Sequence, residues 1–235
     1  MLIAAKQLHR CLIEGSDGDV GTLKDLLFDG PTWIVRYLDI DTGQWLPGQR
    51  VILSPAVIHT RDYPGHKLVT ALSKEQVKNS PPLESDLPVT RQKEVELAQY
   101  YAWGAYWANV EADQEAADGD PELRSTQSVA GYNIRAADGA IGHVEDFIVD
   151  DNQWEIRYLV VDTRDWLPGR KVLIPPRWAT AIRWDERCID VEFSRKIVEA
   201  GPEFDPNTPI NRQYEEVFYD YYGRPKYWTK AGEPV

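Results

Sequence analysis

Residues 33–41 and 154–162 are dense in β-branched and aromatic side chains, and apolar residues fall on both alternating faces. That pattern predicts a strand covered from both sides. Shorter runs around the first of them predict companion strands at 8–14, 20–28, 50–53 and 67–72. Turns rich in Gly, Asp and Pro separate them, at 15–18 and 29–31, where such residues supply the backbone angles a tight turn needs. The period then changes. Ser73 and Ser194 each precede a short helical run, as N-caps do. A proline-marked loop follows (Pro81, Pro82, Pro88; Pro202, Pro206, Pro209) and leads into an amphipathic helix over 90–101 and again over 211–222. Glu94, Leu97 and Tyr101 share one face of the first helix, and Glu215, Phe218 and Tyr222 that of the second.

These parallels are one repeat. Gly18-Asp19-Val20-Gly21 returns as Gly139-Ala140-Ile141-Gly142, and the corner Trp45-Leu46-Pro47-Gly48 as Trp166-Leu167-Pro168-Gly169. The offset is 121 positions throughout, without a gap from Ile13/Ile134 to Trp107/Trp228, and about 29 positions are identical. The organisation expected is a first repeat with its tail over 1–110, an acidic linker over 111–128 and a second repeat over 129–235. A gap-free duplication of this kind commonly fuses a symmetric homodimer, so a pseudo-two-fold pairing of the copies is expected.

Charge narrows the function classes. The net charge of −12 is divided evenly on either side of Asp118. An evenly acidic chain repels phosphate polymers and anionic membranes on average, so no nucleic-acid partner is expected. No apolar run approaches the ~20 residues of a membrane-spanning helix. The N-terminus does not resemble a secretory signal, and Cys11 and Cys188 have no metal-type spacing. A cytoplasmic protein with free thiols is expected, with peripheral membrane association left open.

Side chains that could carry chemistry are few. His9, His59, His66 and His143 have no counterparts across the repeat and form no zinc-type spacing, so no metal is expected. The paired glycines lack the Lys-Ser/Thr of a phosphate loop, and strand residues follow where a helix would be needed. Asp25/Asp146, Asp29/Asp150 and Asp41/Asp162 are repeated but flank turns, where aspartate bonds locally. No nucleophile–base pair is present, so neither a catalytic residue nor a cofactor is expected. The notable repeated set is aromatic: Tyr100, Tyr101, Tyr106 and Trp107 in one tail, Tyr221, Tyr222, Tyr227 and Trp228 in the other. A patch of that size must be covered, so each tail is expected to pack on a β unit, its own or that of the other copy. Arg91/Glu94 and Arg212/Glu215, three residues apart on the helix, are expected as ion pairs on the surface or against the barrel. Trp45, Pro47, Gly48, Trp166, Pro168 and Gly169 are expected to build a structural corner.

Gly-x-x-Gly, the strand Arg36-Tyr37-Leu38 (Arg157-Tyr158-Leu159) and Asp-Thr-x-x-Trp-Leu together resemble the PRC-barrel domain family. The resemblance implies a mainly β fold of two tandem small antiparallel barrels, each followed by short helices and an aromatic tail. The family includes the cytoplasmic part of a photosynthetic reaction-centre H subunit and a ribosome-maturation factor. It therefore implies three roles: a non-catalytic protein-binding scaffold, a peripheral subunit of a membrane electron-transport complex, or a ribosome-assembly helper acting through protein contacts. The scaffold is the expectation adopted, because the membrane anchor of the first relative and the second domain type of the other have no counterpart here.

Overall fold

A computed structural model describes residues 1–83, 88–109, 121–163 and 167–229. The chain runs β1 (Leu2–Ala4), α1 (Ala5–Leu8), β2 (Leu12–Gly15), β3 (Gly18–Asp29), β4 (Val35–Asp41), β5 (Val51–Leu53), β6 (Ile58–Asp62), β7 (Lys67–Thr70), α2 (Lys74–Lys78) and α3 (Arg91–Tyr101). The series then recurs as β8 (Leu123–Ser125), α4 (Thr126–Val129), β9 (Asn133–Ala136), β10 (Gly139–Asp150), β11 (Glu155–Asp162), β12 (Lys171–Ile174), β13 (Ala179–Arg183), β14 (Cys188–Val191), α5 (Arg195–Ala200) and α6 (Arg212–Tyr222). Two compact units result. The first-repeat unit comprises Ala4–Ser128 and Asn152–Ile156; the second-repeat unit comprises Met1–Ile3, Val129–Asp151 and Arg157–Val235. Trp166 and the linker residues before Pro121 lie outside the described residues.

Each unit is built on one seven-stranded sheet. The first has the order β5-β4-β3-β2-β7-β6, with β8 also on β3; the second has β12-β11-β10-β9-β14-β13, with β1 also on β10. The added strand of each sheet thus comes from the segment preceding the other repeat. It finds an edge because β3 and β10, at 12 residues each, are far longer than the β2 and β9 they pair with. Backbone bonds fix the added strands equivalently: Gly30 N–H donates to Glu122 O and Asp151 N–H to Met1 O, both at 3.0 Å.

The expected closed antiparallel barrels are open, mixed sheets. Among the described residues β5 and β6 do not pair with each other. Between them Ser54 caps a 3-10 turn, its Oγ accepting from Ala56 N–H, and Pro55 removes a ladder donor. The β6–β7 hairpin then returns β7 alongside β2 in the same direction, and β14 lies parallel to β9 likewise. The opening of the chain also differs from expectation: the strand expected over 8–14 begins only at Leu12, after a helical turn over Ala5–Leu8.

The central strands are as buried as their sequences require. Every residue of β11 is buried, and in β4 only Arg36 and Asp41 reach solvent to any extent. Trp33 and Trp154 precede these strands with φ of 61° and 51°, and the bend drives both indoles into the interior at 4% and 6% exposure. The repeated Gly21 and Gly142 mark a close backbone crossing. A Cβ there would lie 2.3 Å from Asp41 O and 2.0 Å from Asp162 O, so no other residue fits without moving a strand.

Candidate functional site

The repeated polar residues converge where each tail helix lies on its own sheet. Thr90 caps α3 through Lys93 N–H at 3.3 Å, and Asn211 caps α6 through Tyr214 N–H at 2.9 Å. One turn in, Glu94 and Glu215 point at the sheet and are 0% and 3% exposed. A buried carboxylate is stable only when its oxygens are bonded. In the second-repeat unit Tyr158 of β11 donates to Glu215 Oε1 at 2.6 Å, Tyr227 donates to the same oxygen at 2.9 Å, and Arg212 Nη1 lies 3.0 Å from Oε2. The first-repeat unit repeats this: Tyr106 donates to Glu94 Oε1 at 2.8 Å, Arg91 pairs with Oε2, and the Tyr37 hydroxyl bonds the same carboxylate.

A second layer holds the tyrosines. The Arg36 guanidinium stacks 4.0 Å from the Tyr106 ring centre while paired with Asp29 at 3.1 Å. Arg157 repeats this over Tyr227 at 4.1 Å, paired with Asp150 at 3.4 Å. Arg91 and Arg212 cover Trp107 and Trp228 at 4.6 and 3.9 Å. Tyr100 and Tyr221 lie at the rim, donating to Gln76 O at 2.7 Å and Ile197 O at 2.8 Å. Tyr101 stacks on Trp103, and Tyr222 sits against Trp178, Phe193 and Phe218. Each tail therefore packs on its own unit, and the alternative of crossing to the other copy is corrected.

Burial pushes the Glu94 carboxyl above its ordinary range, against the pull of Tyr106 and Arg91. It also pushes the Tyr106 and Tyr37 hydroxyls well up, with the Glu94 charge adding to the effect. Such tyrosines stay protonated and serve as donors. The carboxylate is surrounded by donors, which suits it to holding the tail. Arg36/Arg157 and Tyr37/Tyr158 belong to this lock, yet in the sequence they stand out only as part of a strand motif. The signal that could have marked them is co-repetition with Glu94/Glu215, since a glutamate on a helix's buried face requires donors.

The corner residues are placed as follows. Thr42 and Thr163 donate to Leu46 O and Leu167 O at 3.1 and 3.0 Å and close the corner in both repeats. Pro47 and Pro168 are exposed, and Gly48 and Gly169 take φ of 77° and 84°, which only glycine adopts readily. Trp45 is half-buried: its indole donates to Val20 O at 2.8 Å, with Lys74 Nζ 4.7 Å from its ring centre. Asp25 anchors the added strand, accepting from Ser125, from Thr126 at 2.6 Å and from Gln127 N–H at 3.2 Å. Cys11 and Cys188 are both free. Among the described residues no helix is long and apolar enough to cross a membrane.

Residues 124–196 match the family model of the PRC-barrel domain. The second repeat carries a PRC-barrel domain. The match begins within β8, runs through all six strands that follow, and stops in α5. The PRC-barrel domain thus contributes Tyr158 and Arg157 to the lock, whereas Glu215 and Tyr227 lie in a tail beyond the matched residues. No curated protein matches the chain.

Proposed function

We propose that the chain is a non-catalytic scaffold of PRC-barrel type, presenting folded surfaces to protein partners in the cytoplasm. The observation that carries this reading is the use of the repeated polar residues. Arg36, Tyr37, Arg91, Glu94, Tyr106 and their equivalents hold the tails in place and face one another rather than a substrate. The reading includes the pseudo-two-fold pairing expected of a fused homodimer. The gap-free 121-residue repeat supports it, since duplications of this kind commonly fuse a symmetric homodimer.

The test compares the tagged full chain with a variant in which the exposed Tyr100, Val217 and Tyr221 are replaced by glutamate. A partner recovered stoichiometrically by the wild type and lost by the folded variant is the expected result. Hydrolase, transferase or redox turnover that follows the pure protein would overturn the reading.

A further inference from the structure

The first-repeat unit contains a pocket of about 350 Å³ beside the tail lock, with which it shares Arg36, Tyr37 and Tyr106 as walls. Trp103, Tyr106 and Trp107 of the tail line it, together with Trp154, Arg36 of β4 and Arg61 of β6. Its aromatic walls are held from behind. Tyr101 stacks on Trp103 at 4.7 Å, Arg36 on Tyr106 at 4.0 Å, and Arg91 covers Trp107 at 4.6 Å. Rings fixed in this way lose little freedom when a flat ligand slides between them.

The polar lining is one-sided. In a chain with 38 acidic residues, no Asp or Glu lines this pocket, while two arginines do. Arg36 is neutralised by Asp29. Arg61 is not: among the described residues its guanidinium has no carboxylate partner, its Nε is buried without an acceptor, and it lies 5.8 Å from the Trp154 ring centre. Trp154 is 6% exposed, and its indole Nε1–H is likewise buried without an acceptor. Three buried nitrogens without acceptors, Arg61 Nε, Trp154 Nε1 and Arg36 Nε, beside flat apolar walls define what would satisfy the site. The set is peculiar to this unit, since Ile182 stands at the position equivalent to Arg61. Arg224, paired with Glu192, stands at that of Trp103.

We propose that this pocket binds a planar aromatic anion of one or two rings, its ring between the indoles and its carboxylate on Arg61. The volume falls at the small end of ligand pockets, which suits a ligand of that size. The site is independent of the scaffold reading, and either can fail alone.

Calorimetric titration of the full chain with 2-naphthoate tests it, with 2-naphthalenemethanol and 2-naphthylmethylammonium as neutral and cationic comparators. One saturable site is expected, with the acid binding about tenfold or more tighter than the alcohol and the cation weakest. Arg61→Gln should bring the acid down to the level of the alcohol and leave the alcohol unchanged, and Arg61→Lys should restore part of the difference. Thermal melting checks that the variants fold, and the wild-type charge series decides even if one does not. Absence of saturable acid binding, equal affinity for acid and alcohol, or an Arg61→Gln variant that keeps the preference would each overturn the proposal.

Discussion

The two units carry the same polar lock on different apolar beds. In the second-repeat unit the tail helix rests in an aromatic cluster: Trp178 stacks on Phe218 at 5.3 Å, and Phe193, Tyr219 and Tyr222 surround the pair. In the first-repeat unit the equivalent positions are Val57, Leu97, Leu72, Ala98 and Tyr101, so the bed is aliphatic and Tyr101 stacks on Trp103 instead. The lock also sits at a different depth. Arg91 is 15% exposed against 49% for Arg212, which makes the Glu94 pair the drier of the two. Apolar contact can be exchanged among shapes that fill the same volume, whereas a buried carboxylate tolerates only donors at fixed positions. That difference explains why the lock residues are identical across the repeat while the bed residues have drifted.

The largest effect is expected from removing residues 214–235, which strips Phe218 and Tyr219 from the second bed. Each such side chain contributes roughly 1.5–3 kcal/mol, against a total stability of about 5–15 kcal/mol for a domain. A marked fall in melting temperature with dye-accessible apolar surface should follow. An unchanged melting curve would mean that the tail is an accessory.

Next, Glu94→Ala and Glu215→Ala compare the two locks. Removing one partner of a buried ion pair costs about 3–5 kcal/mol. The full cost is expected for Glu94, and less for Glu215, whose arginine can turn to water. Denaturant unfolding with equal losses for the two would break the distinction in depth.

Trp45→Ala probes the corner. A half-buried indole with one hydrogen bond to Val20 O should cost about 1–2 kcal/mol, below the value for a fully buried tryptophan. A loss near 4 kcal/mol in the same assay would place the corner in the core.

The smallest effect concerns pH. Burial raises the Glu94 carboxyl in the folded state above its ordinary value of 4.5, so the folded state holds that proton longer than the unfolded one. Stability from this group is therefore greatest in acid and declines as pH rises from the ordinary glutamate range through the raised value. Glu94→Gln should remove that decline. If wild type and variant keep parallel stability–pH curves, burial is not what governs this carboxylate.

Much of this molecule was legible in one dimension. The density of β-branched and aromatic residues predicted the central strands, Ser73 and Ser194 marked helix starts, and the 121-residue register identified the repeat, because these signals act between residues close in sequence or compare the sequence with itself. The positive-φ bends at Trp33 and Trp154 were not legible, since a tryptophan carries no local preference for that region and only the surrounding core holds it there. Nor was sheet closure, which depends on whether two distant edges meet. The tails show the division most clearly. Their aromatic content announced that they must be covered, which is a statement about composition and the hydrophobic effect. Which surface covers them was decided by Tyr37 and Tyr158, 57 residues away from Glu94 and Glu215, whose hydroxyls reach the buried carboxylates only once the sheet has formed.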